Sequence, residues 1–307
     1  MRAVWLENQV LSFRDDVPEP EMFEGEALVK VRLAGICSTD LELVKGYYPY
    51  RGIPGHEFVG EIVKAPTAPW RVGQRVVGDI NVGCGECPDC LAARHGHCKN
   101  RCVLGIKNRD GAFADYLKLP LQNLIPVQET VSDEAAVFTE PLAAALQIQQ
   151  QVQIGDTDNV LVVGAGRLGQ LIARTLASVT GQLTVVARHH SQQALLTAQD
   201  IDWIQEGGIR DRSFDIVIEA TGSPAGFAMA HQAVRPQGTI VLKSTYSDTG
   251  EDTRPIQLSS LVVDEITLVG SRCGPMAAAL DQLEKQQVDP AGLIAKRYSL
   301  SDALAAF

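Results

Sequence analysis

Asn159-Val160-Leu161-Val162-Val163 is an apolar run of strand type, and it leads directly into Gly164-Ala165-Gly166-Arg167-Leu168-Gly169 and a segment of helical spacing. No other feature constrains the fold as much. A strand, a Gly-x-Gly-x-x-Gly turn and a helix in that order let the backbone turn tightly against a pyrophosphate, which the helix N-terminus then holds. The same pattern also fits a tight strand-to-helix turn with no ligand, so its surroundings matter. Further strands are expected at 183–187, 203–204, 214–220, 239–243 and 266–270, with helical segments between several of them. That alternation predicts a parallel, doubly wound sheet of the α/β class over 145–270.

The preceding residues follow a different pattern. Residues 1–36 alternate apolar and polar in short runs punctuated by Pro18, Pro20 and Gly25, and further strands are expected at 57–63 and 72–78. A β-rich domain over 1–144 follows, and 271–307 is expected to rejoin it; 307 residues suit two cores better than one. Within the first domain lies a lobe at about 83–102 that carries Cys84-x2-Cys87-x2-Cys90-x7-Cys98 among glycines. Four thiolates so spaced in a polar loop match a closed tetrahedral zinc site, in which no position remains for a substrate. The zinc expected here is therefore structural. His95 and His97 read as surface residues, and Cys102 and Cys273 as ordinary small side chains.

Cys37 and His56 flank a loop of Tyr, Pro and Gly residues, and Ser38-Thr39-Asp40 opens a short helix expected to end near Gly46. A thiolate and an imidazole can share a zinc ion, although a structural Cys and an unrelated His would look the same at this stage. Tyr47, Tyr48 and Tyr50 serve either a pocket or packing. Glu140 before Pro141 reads as a helix N-cap on residue type alone. The end of the second strand of the parallel sheet carries Ala187, Arg188, His189 and His190 in place of an acid. An acid there would accept from a free ribose 2′-hydroxyl, whereas a guanidinium favours a 2′-phosphate, so NADP is expected over NAD. A solvated basic loop is the alternative. Thr221, after a central strand, either faces the cofactor or bonds locally.

A net charge of -10 disfavours nucleic acid and anionic membranes as partners. No apolar run approaches the ~20 residues of a membrane span, and Met1-Arg2-Ala3-Val4-Trp5-Leu6 leads into polar residues, so the cytoplasm is the expected location. Seven cysteines, clustered as they are, argue for metal binding in a reducing compartment.

Cys37, Gly55-His56-Glu57, the four-Cys lobe, Glu140-Pro141 and the Gly164 to Gly169 turn occur in an order that resembles zinc-containing medium-chain dehydrogenases/reductases. The resemblance spans nearly the whole chain. It implies a GroES-like catalytic domain built from both ends of the sequence, a Rossmann domain between, and two zinc ions per chain. Cys37, His56 and Glu140 then correspond to the catalytic-zinc ligands, Glu57 to a carboxylate that can enter the metal shell, and Asp40 to the group that orients the imidazole. Thr39 corresponds to the hydroxyl that takes the substrate proton. Gly164, Gly166, Arg167, Leu168, Gly169, Arg188, His189 and Thr221 fall at the cofactor. The implied activity is hydride transfer between an alcohol or polyol, or its aldehyde or ketone, and NADP(H), by a homodimer or homotetramer. Two departures stand out. Glu42 replaces the usual relay His, and Leu304-Ala305-Ala306-Phe307 lies in a helical pattern where the family usually continues into a last strand. They keep alive a second class, a catalytically inactive NADP- and zinc-binding sensor or scaffold.

Overall fold

The structure, a computed structural model, describes residues 1–66, 69–245 and 258–307. Packing divides the chain into two compact units, one of Met1–Glu140 with Met276–Phe307 and the other of Pro141–Pro275.

The first unit opens on a hairpin of β1 (Ala3–Glu7) and β2 (Val10–Arg14). Asn8 and Gln9 both take positive φ there, the geometry that matches a two-residue turn to the twist of its strands. Then come β3 (Glu26–Gly35), α1 (Ser38–Val44), β4 (Glu57–Lys64) and β5 (Arg75–Gly78). The strand expected from residue 72 begins only at Arg75, because Gly73 turns the chain at φ +87°. β6 (Asn81–Val82), α2 (Pro88–Leu91) and β7 (Cys102–Val103) frame the cysteine lobe, followed by β8 (Tyr116–Pro120), β9 (Leu124–Pro126) and α3 (Asp133–Ala136). Five strands pair antiparallel in the order β8-β3-β4-β5-β9. Ala27 and Val29 of β3 point into the core while Lys30 and Arg32 are exposed, the period-two pattern of a half-buried strand. A second cluster gathers Ala3, Val4, Val17, Ile53, Phe113 and Ala114, with Leu300, Ala303 and Phe307 packed against it.

α4 (Thr139–Gln151) starts two residues earlier than the sequence suggests, so Glu140 lies inside the first turn and is not the N-cap. The second unit continues with β10 (Asn159–Val163), α5 (Arg167–Leu176), β11 (Gln182–Val186), α6 (His190–Thr197) and β12 (Asp202–Ile204). β13 (Phe214–Glu219), α7 (Pro224–Ala233), β14 (Val234–Leu242), α8 (Leu258–Val263) and β15 (Thr267–Gly270) complete it. α9 (Met276–Glu284) returns the chain to the first unit, whose last residues form 3-10 turns over Leu300–Ala306 where a regular helix was expected. Six parallel strands lie in the order β12-β11-β10-β13-β14-β15. Direction along the sheet reverses between β10 and β13, and crevices at such a reversal receive ligands at the carboxyl ends of the strands. Among the described residues no helix is long and apolar enough to cross a membrane.

Candidate metal centres and dinucleotide turn

The end of β3 delivers Cys37 to the N-cap of α1, where its backbone is extended at φ -93° and ψ 159°. Asp40, three residues on and fully buried, accepts from the Cys37 backbone N–H at 2.8 Å through Oδ2. Its other oxygen stands 3.3 Å from His56 Nδ1. One carboxylate thus fixes the start of a helix and faces the imidazole on a different segment, so helix capping and histidine orientation are the same act. Cys37 Sγ lies 3.9 Å from the Thr39 hydroxyl.

His56 follows Gly55, whose φ of +97° is open to glycine alone at low cost. The carbonyl of Gly55 is walled in by backbone: a Cβ on Gly105 would stand 2.1 Å from it and one on Gly111 2.2 Å. Ala112 N–H donates to that same carbonyl at 2.9 Å, and Phe113 N–H donates to Pro54 O at 3.0 Å. Tyr50 braces the loop from the side, donating to Ile53 O at 2.6 Å, so its hydroxyl serves packing. Glu57 opens β4 opposite Gly35, and a Cβ at Gly35 would meet Glu57 Oε2 at 2.5 Å. The missing side chain is the space into which the Glu57 carboxylate fits.

Ligand atoms of Cys37, His56 and Glu57 come within 4.8 Å of one another. Sulfur, nitrogen and oxygen donors of one tetrahedral zinc stand roughly 3.3–3.8 Å apart, so small side-chain rotations close the set round an ion. Burial pushes the Cys37 thiol up, and the Glu57 carboxylate adds to it. Burial alone would lower the His56 imidazole, but the Asp40 carboxylate and Cys37 outweigh it and hold it well above the ordinary range. Glu140, half-buried in the first turn of α4, stands outside this group of three.

Cys84, Cys87, Cys90 and Cys98 form the second group, again within 4.8 Å. Sγ separations of 4.0 Å for Cys84–Cys90 and 3.7 Å for Cys84–Cys98 are far too long for disulfides. They match the ~3.8 Å expected between two thiolates bound about 2.3 Å from one tetrahedral ion. Backbone N–H groups of Glu86 and Cys87 pull the Cys84 thiol down to about 7. A Cβ on Gly83 would stand 2.6 Å from Cys90 Sγ, so a glycine is required beside the sulfur.

In the second unit the turn after β10 has the tight packing its glycines imply. Gly164 has φ +107°, and a Cβ on Gly169 would fall 1.9 Å from the Gly164 carbonyl. Gly166 caps α5 without a side-chain hydrogen bond, and a Cβ there meets nothing within 4 Å, which leaves the approach to this helix N-terminus open for a pyrophosphate. Arg167 and Leu168 follow as the first helical residues. Across the sheet reversal, Thr221 packs its methyl where a Gly164 Cβ would come within 2.8 Å. Its N–H donates to buried Glu219 at 2.7 Å, its hydroxyl donates to the same oxygen, and Gly222 N–H adds a third bond at 3.2 Å. The Thr221 hydroxyl is therefore bonded locally. Beside this turn, Arg188 follows β11 and pairs through Nε with Glu206 after β12, while His189 caps α6.

Known proteins are similar to this chain. The alcohol dehydrogenase GroES-like domain matches residues 23–129. L-threonine 3-dehydrogenase of Pseudoalteromonas translucida is 30% identical over 315 residues, 95% of this chain and 91% of that protein. The chain belongs to the zinc-type medium-chain dehydrogenase/reductase family. As a member it is a zinc-type NAD(P)-linked dehydrogenase-like oxidoreductase. A zinc-binding dehydrogenase of Sinorhizobium meliloti bound to NADP superposes with a TM-score of 0.91 at 26% identity, over 99% of this chain and 94% of that one. An alcohol dehydrogenase of Escherichia coli CFT073 complexed with NADH gives 0.89 at 28% identity, over 100% and 94%.

For this medium-chain dehydrogenase/reductase, donor chemistry made Cys37, His56 and the four cysteines readable in the sequence. Glu206, Glu219, Gly35, Gly105 and Gly111 were not singled out. Glu219 left one trace, a carboxylate closing the apolar run Ile216-Val217-Ile218 just before Ala220-Thr221-Gly222.

Proposed function

We propose that the protein transfers hydride between an alcohol or polyol, or the matching aldehyde or ketone, and NADP(H). Cys37, His56 and Glu140 hold one zinc, with Glu57 able to enter the set, and the four cysteines hold a second. The observation that carries this reading is the approach of Cys37, His56 and Glu57 ligand atoms within 4.8 Å, with the Thr39 hydroxyl 3.9 Å from the sulfur. Zinc bound there supplies Lewis-acid polarisation that makes a hydroxyl acidic near neutral pH. One thiolate, one carboxylate and a neutral imidazole leave such a site formally uncharged.

Thr39 takes the substrate proton. Glu42, paired with Lys45 at 2.8 Å on the surface, hands it to water in place of the usual histidine. Asp40 keeps the imidazole in one orientation, and the Gly164 to Gly169 turn holds the pyrophosphate. Arg188 and the absence of an acid at Ala187 support NADP over NAD; of the similar structures one holds NADP and another NADH. Association through β15 is supported by its place at the edge of the parallel sheet and by Val262, Val263 and Leu268, which are 76%, 80% and 41% exposed.

Zinc content and a panel of alcohols, polyols and aldehydes with both cofactors test the proposal together. About two zinc ions per chain and a nicotinamide absorbance change with one substrate class are expected. About one zinc and no turnover with any of them would replace the enzyme by a binding protein.

A further inference from the structure

We propose that Glu206 is a specificity-determining residue that restrains the preference for the phosphorylated cofactor by neutralising Arg188. The proposal rests on the assignment of Arg188 to the 2′-phosphate made above. β11 and β12 run parallel and side by side, and Ala187 N–H donates to Ile204 O at 2.9 Å, so the residues leaving the two strands emerge level with each other. Glu206 opens a 3-10 turn, Glu206–Gly208, closed by Gly208 N–H to Gln205 O at 2.9 Å. The flanking Ile204 and Ile209 pack on the buried cluster beneath the sheet. The carboxylate therefore has an anchored base, whereas Arg188 reaches it along a flexible stem.

Two consequences follow from charge. A phosphate at the ribose 2′ position would meet a guanidinium already paired and a carboxylate of its own sign, while a 2′-hydroxyl would find in Glu206 an acceptor of the type that usually selects the unphosphorylated cofactor. The acid expected at the end of β11 is absent from Ala187 but is supplied by the next strand. Both partners are about half exposed, 58% for Arg188 and 45% for Glu206, so the pair is weak enough for a doubly charged phosphate to pull the guanidinium away. The pair thus sets how strongly the site discriminates.

The test measures NADP+ and NAD+ dissociation constants by calorimetry on the zinc-loaded full chain, for the parent, E206Q, R188Q and the double variant. E206Q is expected to tighten NADP+ roughly 5- to 10-fold and to leave NAD+ unchanged or weaker. In the R188Q background the same change should give about a twofold gain or less, because most of the effect runs through the guanidinium. Equal or weaker NADP+ binding in E206Q overturns the proposal, as does a full gain that persists without Arg188. R188Q separates the two levels. Loss of NADP+ affinity in R188Q with a flat E206Q overturns this inference alone, whereas an unchanged R188Q overturns the assignment of Arg188 and this inference with it.

Discussion

At Gly35, one missing methyl group leaves the room that the Glu57 carboxylate occupies. A Cβ there would stand 2.5 Å from Glu57 Oε2 and 3.3 Å from its Cβ. Gly35→Ala should therefore displace Glu57, and competition with a chelator should show weaker zinc at the first site with the four-cysteine zinc unaffected. Asp40 acts through His56, which it faces at 3.3 Å. Asp40→Asn should weaken metal at the first site about 10- to 100-fold, read by competition with a chelator. Cys37 and His56 were legible because few residue types can hold zinc. Gly35, Gly105 and Gly111 were not, because their importance lies in distances to Glu57 and Gly55 that only the folded chain creates.

Among the elements, α3 is held by charge. Asp133 in its first turn accepts from Arg32 at 2.7 Å and Arg75 at 2.8 Å, and Arg32 also reaches Glu61 at 3.3 Å, which ties β3, β4 and β5 to the helix. Burial raises the Asp133 carboxyl, but the two guanidiniums outweigh it and hold it below the usual aspartate range. A depressed folded-state value means the stabilisation is present above the unfolded-state value and fades as pH falls through the folded one. Asp133→Asn should cost about 1 kcal/mol at neutral pH, since Asp133 is 21% exposed and partly screened. Urea unfolding should show that difference closing under acid conditions below the ordinary aspartate pKa, and a constant gap would contradict the assignment. Element type was readable where periodicity was strong, as in β10 and α5. Boundaries slipped at β14, expected over 239–243, which runs through Val234–Leu242 with a register shift against β13.

For the whole molecule, the parallel, doubly wound sheet was readable from the alternation of strand and helix, whereas the order of its strands is seen only in the folded chain. The return of the chain's end to the first unit was expected once the parallel sheet had been bounded at about residue 270, because the residues left over are too few for a core of their own, and the family resemblance implies the same. If β15 joins two copies, Val263→Lys with Leu268→Lys should turn a dimer into a monomer by light scattering while the dinucleotide still binds. An unchanged mass would remove this edge from the interface. The discontinuous unit also dictates an order of events during synthesis. Phe113 meets Phe307 edge-on with ring centroids 5.7 Å apart, and Leu300 and Ala303 cover the same apolar seam as Ala3 and Val4. Residues 1–140 leave the ribosome before that cover exists, so the parallel-sheet unit is the first whose residues are all available to fold. The antiparallel unit must meanwhile keep a sticky flank open to water, which makes it the part of the nascent chain most in need of a chaperone.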